Sequence, residues 1–167
     1  MRLLALIGAL AILVALAAAV FFFGGYFNVA ATDKDPAIVD WALIQVRKAS
    51  IANHATGTPP MSLDDAAIIR AGARAYAMRG CVHCHGGPGA EWSKFSEGLN
   101  PNPPDLKYVA GNPPAQLFFV VKNGVKMTGM PAFGEAMDDK EAWSVVAFVR
   151  KIPTVSEADF KAWSAAP

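Results

Sequence analysis

Charge is scarce in this sequence. Only 17% of its 167 residues are Asp, Glu, Lys or Arg, and the fifteen basic side chains nearly balance the fourteen acidic ones, leaving a formal +1. No basic tract occurs. Nucleic-acid binding through counterion release needs a concentrated basic face, so a nucleic-acid partner is set aside. Cysteine is scarcer still: Cys81 and Cys84 are the two in the chain. A disulfide scaffold, or a four-cysteine zinc site built from this chain alone, is therefore excluded. No convincing alternation of apolar and polar residues marks a β-strand. Apolar residues, by contrast, are abundant: 53% of the chain, with a mean hydropathy of +0.28. That is too apolar for disorder, and 167 residues leave room for one ordinary domain and an appendage.

Much of the apolar excess lies between Leu3 and Phe27, twenty-five residues without a charge. As a helix this stretch would be about 37 Å long, and about 20 residues already cross a bilayer core. The competing reading is a cleavable signal, with Ala17-Ala18-Ala19 or Asn28-Val29-Ala30-Ala31 as the small-residue site. Val20–Phe23 carries the apolar run past the first, and the core before the second is too long for a signal. The expectation is a single-pass anchor over residues 1–30. Arg2 precedes it, and Asp33, Lys34 and Asp35 follow, which places the amino terminus in the cytoplasm and the remainder outside.

Residues 31–61 form a juxtamembrane helix and linker. Asp35-Pro36 reads as an N-cap and first helical residue, with a helix to about Asn53 and a break at Thr56-Gly57-Thr58-Pro59-Pro60. That helix either lies along the membrane or a partner, or packs on the domain that follows. The domain itself spans residues 62–167. Ser62-Leu63-Asp64-Asp65 resembles a capping box opening a helix toward Gly80, with Ile68, Gly72 and Tyr76 on one face. Gly72 suits close approach of a second helix. Another helix runs from Pro113 to Asn123, presenting Pro114, Leu117, Phe118 and Val121. The last opens at Asp138 with Glu141 three residues on, and buries Ala142, Val145, Val146 and Val149. The fold class is all-α. Its long Pro- and Gly-rich loops, in about 105 residues with three helices, require something besides side chains to fill the core.

Cys81-Val82-His83-Cys84-His85 supplies it. C-x-x-C-H is the attachment signature of c-type haem: two thiols three apart add to two vinyl groups, and the next imidazole meets the iron. A thioredoxin-like dithiol would want β-α-β units, and consecutive residues 83–85 converge poorly on a tetrahedral zinc. His83 then faces solvent, and His54 is a surface residue. A low-spin carrier also needs a sixth ligand. Met130, in Gly129-Met130-Pro131 between two helices, is the candidate, with Met127 its nearest rival and Met137 assigned to core or surface.

With these motifs the chain resembles a membrane-anchored class I c-type cytochrome, one haem held by CxxCH and a distal methionine. The resemblance rests on Cys81–His85, Gly86-Gly87-Pro88-Gly89, Pro103-Pro104-Asp105-Leu106, Asn123–Phe133 and the closing Trp143–Val149 helix. It implies a small cytochrome c-like domain preceded by one transmembrane helix. One covalent haem c would be held by Cys81 and Cys84, with His85 proximal and Met130 distal on the iron. It further implies that Gly72 and Tyr76 cross the last helix at Trp143 with Val146 or Ala147. A loop carbonyl, that of Pro103 or its neighbours Asn102 and Pro104, would orient His85. Phe118, Phe119, Val121, Phe133 and Trp143 would wall the haem.

The function implied is one-electron transfer in a membrane respiratory or other redox chain, not enzymatic catalysis. The alternative is a fixed haem-bearing subunit of a larger membrane oxidoreductase complex. Redox proteins and membrane lipid are the expected partners. The expected location is the bacterial inner membrane with the haem domain on the periplasmic side. Lys94, Lys107, Lys122 and Lys126 would either ring the haem edge with positive charge or stand as ordinary solvated residues.

Overall fold

A computed structural model describes residues 1–165 and divides the chain into two compact units, Met1–Lys34 and Asp35–Pro167. The first is built on α1 (Arg2–Phe23), long and apolar enough to cross a membrane and with no buried residue. Its 22 residues rise about 33 Å, close to the thickness of a hydrocarbon core. The helix stops at Gly24, whose N–H donates to the Val20 carbonyl at 2.8 Å. The rings of Phe21, Phe22 and Phe27 gather at this end, with centroids 5.3–6.2 Å apart.

The second unit contains α2 (Ala37–His54), α3 (Ala66–Met78), α4 (Cys81–His85), α5 (Pro114–Asn123), α6 (Asp139–Lys151) and α7 (Glu157–Ser164). Short 3-10 turns at Lys94–Gly98, Leu106–Tyr108 and Ile152–Thr154 punctuate the loops. Among the described residues there is no strand, only an isolated bridge between Gly87 and Ala90. The all-α expectation holds.

The core is organised by the crossing of α3 and α6. A Cβ on Gly72 would lie 1.9 Å from the Ser144 carbonyl oxygen and 3.0 Å from Phe148 Cβ, so the two backbones touch where a side chain would stand. One turn further along α3, Tyr76 packs on Phe148 at 5.2 Å, and Phe160 of α7 stacks on Phe148 at 5.4 Å. The crossing partners are thus Ser144 and Phe148, not Trp143 with Val146 or Ala147. Ser144 and Phe148 are four residues apart and share one face of α6. Trp143 is turned about 100° away and stacks flat on Phe118 of α5, 4.2 Å between centroids. Neighbours on several sides bury α6 continuously from Ala142 to Val149, well beyond the expected stripe.

Local sequence accounts for the helix starts. Asp138 accepts the Glu141 N–H at 2.7 Å, as the capping pattern predicts. For α3 the cap is Asp65, which accepts from Ala67 and Ile68. Ser62 instead closes the preceding turn by accepting from the Asp64 N–H. Pro36 and Pro113 occupy the N-cap positions of α2 and α5, so each helix begins one residue later than expected. The C-terminal residues hold a further helix, α7 (capped by Ser156), beyond the three expected for the domain. In α2, His54 comes within 6.4 Å of the Phe119 ring, and beyond it Gly57 approaches Trp143, so this segment packs on α5 and the core.

Candidate functional site

The cysteine motif is a separate turn of helix. After α3, Gly80 takes a left-handed conformation (φ +77°) that swings the chain into α4, and the Gly86 N–H closes the turn on the Val82 carbonyl at 2.9 Å. Gly86 is itself left-handed (φ +64°), and any Cβ there would sit 2.9 Å from the Ala90 carbonyl oxygen. Its carbonyl accepts the buried Tyr76 hydroxyl at 2.7 Å, which ties the end of the motif to the core. Beside it, Arg79 forms a two-pronged ion pair with Glu141 at 2.8 and 2.9 Å, fixing the end of α3 to the start of α6. Neither contact is announced by a motif; both join residues distant in sequence.

Cys81 and Cys84 are unbridged and half-buried on this one turn. Burial pushes the Cys81 thiol up to about 11, so the site favours an uncharged sulfur. The half-buried His85 donates from Nδ1 to the Pro104 carbonyl at 2.9 Å, which leaves Nε2 as the free ring nitrogen. Burial lowers the His85 pKa below its ordinary value, against the opposing pull of that carbonyl, and favours the neutral imidazole. The orienting carbonyl is that of Pro104 and not Pro103, since Asp105 caps the next 3-10 turn through the Lys107 N–H at 2.9 Å and fixes the loop one residue later. His83 is exposed, and its carbonyl accepts from the Ser93 N–H at 2.7 Å. His54 lies exposed on α2.

Met130 stands half-buried in the loop between α5 and α6, where the chain forms a small knot. Its N–H donates to Thr128 Oγ1 at 3.1 Å, the Thr128 hydroxyl donates to the Val125 carbonyl, and the Val125 N–H returns to the Met130 carbonyl. The rival methionines are placed differently: Met127 is exposed at a left-handed φ of 58°, and Met137 is core. Gly129 lies against Leu99, whose Cδ1 would be 2.7 Å from an added Cβ. The segment from Leu99 to Pro104 therefore touches the methionine loop at one end and the His85 ring at the other. Of the expected walls, Phe119, Val121 and Phe133 are half-buried, whereas Phe118 and Trp143 stack inside the core.

Three of the four lysines expected to form a positive ring hold carboxylates: Lys94 with Glu97 at 3.1 Å, Lys107 with Asp105 at 3.4 Å and Lys122 with Asp139 at 2.6 Å. No trio of His, Cys, Asp or Glu among the described residues is arranged for a metal ion. What the turn offers is two thiols, three residues apart, and an imidazole held at Nδ1. That donor set fits a group that takes thioethers and an axial nitrogen.

A family model described as cytochrome C oxidase, cbb3-type, subunit III matches residues 67–149, from α3 into α6. No curated protein and no solved structure matches the chain. The match supports a c-type cytochrome domain in this chain. Such a domain implies covalently held haem c and electron transfer, with the chain serving as a carrier or a subunit. The matched region contains the α3–α6 crossing, the cysteine turn and the methionine loop.

Proposed function

We propose that this protein is a single-haem, one-electron carrier of a membrane redox chain. In it α1 is the anchor (residues 1–30), residues 31–61 the connecting helix and linker, and residues 62–167 the haem domain, held on the periplasmic side of a bacterial inner membrane. The observation that carries the reading is the 2.9 Å bond from His85 Nδ1 to the Pro104 carbonyl, on the same helical turn as both thiols. Cys81 and Cys84 would hold haem c through thioethers, with His85 Nε2 on one side of the iron and the Met130 sulfur on the other. Bound there, haem c supplies the Fe(III)/Fe(II) couple. The chain's own work is positional. Pro104 fixes the imidazole plane and tautomer, the Thr128 knot fixes the Met130 backbone, and the apolar surroundings exclude water. Sulfur ligation and a low-polarity pocket both raise the reduction potential.

A second reading, a fixed haem-bearing subunit of a larger membrane oxidoreductase, is favoured by the oxidase-subunit description of the matching family model. The test is spectroscopic. Full-chain protein matured with haem should contain one covalent haem by mass and by pyridine haemochrome. Its ferric form should be low-spin, with the far-red charge-transfer band of sulfur ligation. Met130→Ala should lose that band while keeping covalent haem; loss in Met127→Ala and retention in Met130→Ala would assign the ligand to Met127. Purification from native membranes separates the roles: a carrier leaves alone in mild detergent, and a subunit leaves with its complex.

A further inference from the structure

Most large apolar residues of α2 are uncovered. Ala42, Ile44, Arg47 and Ile51 are its half-buried positions, whereas Ile38, Val39, Trp41, Leu43 and Val46 are all exposed. At 3.6 residues per turn these five, with Ala42 and Ala49, fall in an arc of about 200° that contains no charged residue. The charged residues of the helix, Asp40, Arg47 and Lys48, lie in the remaining arc, around the domain-facing side. An apolar helix face this wide is normally covered. The domain covers one side of α2.

The chain itself suggests a cover for the other. Thirteen residues, 24–36, separate α1 from α2. They reach at most roughly 45 Å, so α2 is the first element beyond the apolar span and is tethered at the lipid surface. The arc has the composition of a headgroup boundary. Trp41 and branched aliphatics alternate with uncharged Gln45, Ser50 and Asn53, a mixture that suits an amphipathic environment better than a dry subunit interface. We infer that α2 is a second membrane contact, lying in the plane of the bilayer surface with Ile38, Trp41 and Val46 seated at the headgroup boundary. The inference rests on the reading of α1 as an anchor. Its consequence is that the cytochrome domain is held at the membrane surface and does not swing freely on a linker.

The test uses the full-chain holoprotein in phosphatidylcholine–phosphatidylglycerol liposomes carrying diazirine lipids, with the reactive group either near the headgroup or at the acyl end. Labelled peptides are then mapped by mass spectrometry. The acyl-end probe should label α1, and the headgroup-depth probe should label α2 at Ile38, Trp41 and Val46. The triple variant Ile38→Gln/Trp41→Gln/Val46→Gln should reduce α2 labelling about tenfold, with α1 labelling and the haem spectrum unchanged. Labelling of α1 without α2 overturns the surface placement and leaves the anchor standing. Labelling of neither overturns the anchor with it. Unchanged α2 labelling in the triple variant also overturns the inference, as does an α2 that is silent toward lipid but cross-links to another protein in native membranes.

Discussion

At position 72 one hydrogen atom decides whether two helices can cross. An added Cβ would lie 1.9 Å from the Ser144 carbonyl oxygen, a backbone atom that moves only if α6 moves. Gly72→Ala is expected to destabilise the holoprotein by about 2–3 kcal/mol, the cost of overpacking a tight interface. Gly98→Ala, with nothing within 4 Å of the new methyl, should leave the denaturation midpoint nearly unchanged. Tyr76→Phe removes a buried donor and leaves the Gly86 carbonyl without it, which should cost about 1 kcal/mol in the same measurement. At this scale the candidate site was readable wherever covalent chemistry dictates spacing. The Cys81–His85 motif stands out because thioether attachment would permit few alternatives, and the proline after Met130 makes it the candidate sixth ligand. The choice of Pro104 over Pro103 was not readable. Successive carbonyls compete there, and the Asp105 cap that selects between them acts through three-dimensional geometry.

Elements were legible in proportion to how far local rules alone determine them. The start of α6 follows from Asp138 and Glu141, and the stop of α5 from Asn123-Gly124. The short α7 has one buried residue, Phe160, and its helical form depends on partners 12 to 84 residues earlier. Phe160 meets Tyr76 at 6.3 Å and Phe148 at 5.4 Å, and its Cε1 would lie 2.9 Å from a Cβ on Gly87. An element whose one buried side chain is this ring should loosen without it. Phe160→Ala is expected to lower stability by about 3–5 kcal/mol. Because Gly87 lies two residues after His85, the variant should also broaden the haem spectrum, whereas a helix that merely decorates the surface would leave the spectrum intact. Asp138→Ala tests the opposite kind of element, one fixed locally. It should cost about 1 kcal/mol in chemical denaturation without changing the spectrum.

For the whole molecule the question is whether charge guides its encounters. The sequence offered four lysines near the ligand-bearing segments and a nearly neutral total, and composition alone could not choose between a cationic ring and scattered surface charge. The fold chooses by pairing. Lys94, Lys107 and Lys122 each stand beside a carboxylate, and Lys126 is left without an ion pair among the described residues. Paired charges cancel beyond a few ångströms, and at physiological salt whatever remains is screened over about 8 Å. A ring of four free lysines would make the oxidation rate by an anionic reagent fall on the order of a hundredfold as salt rises, the scale of electrostatic steering. With three of the four neutralised, the second-order oxidation of the reduced, detergent-solubilised protein by ferricyanide should fall less than about fivefold between low and physiological ionic strength. Lys122→Glu/Lys126→Glu should slow that oxidation, because the first substitution also frees Asp139 from its partner and adds to the negative charge it introduces. A hundredfold salt dependence, abolished by the double reversal, would mean that the lysines act together as a guiding surface despite their ion pairs. A flat response would place the selectivity of electron exchange in contacts made after encounter.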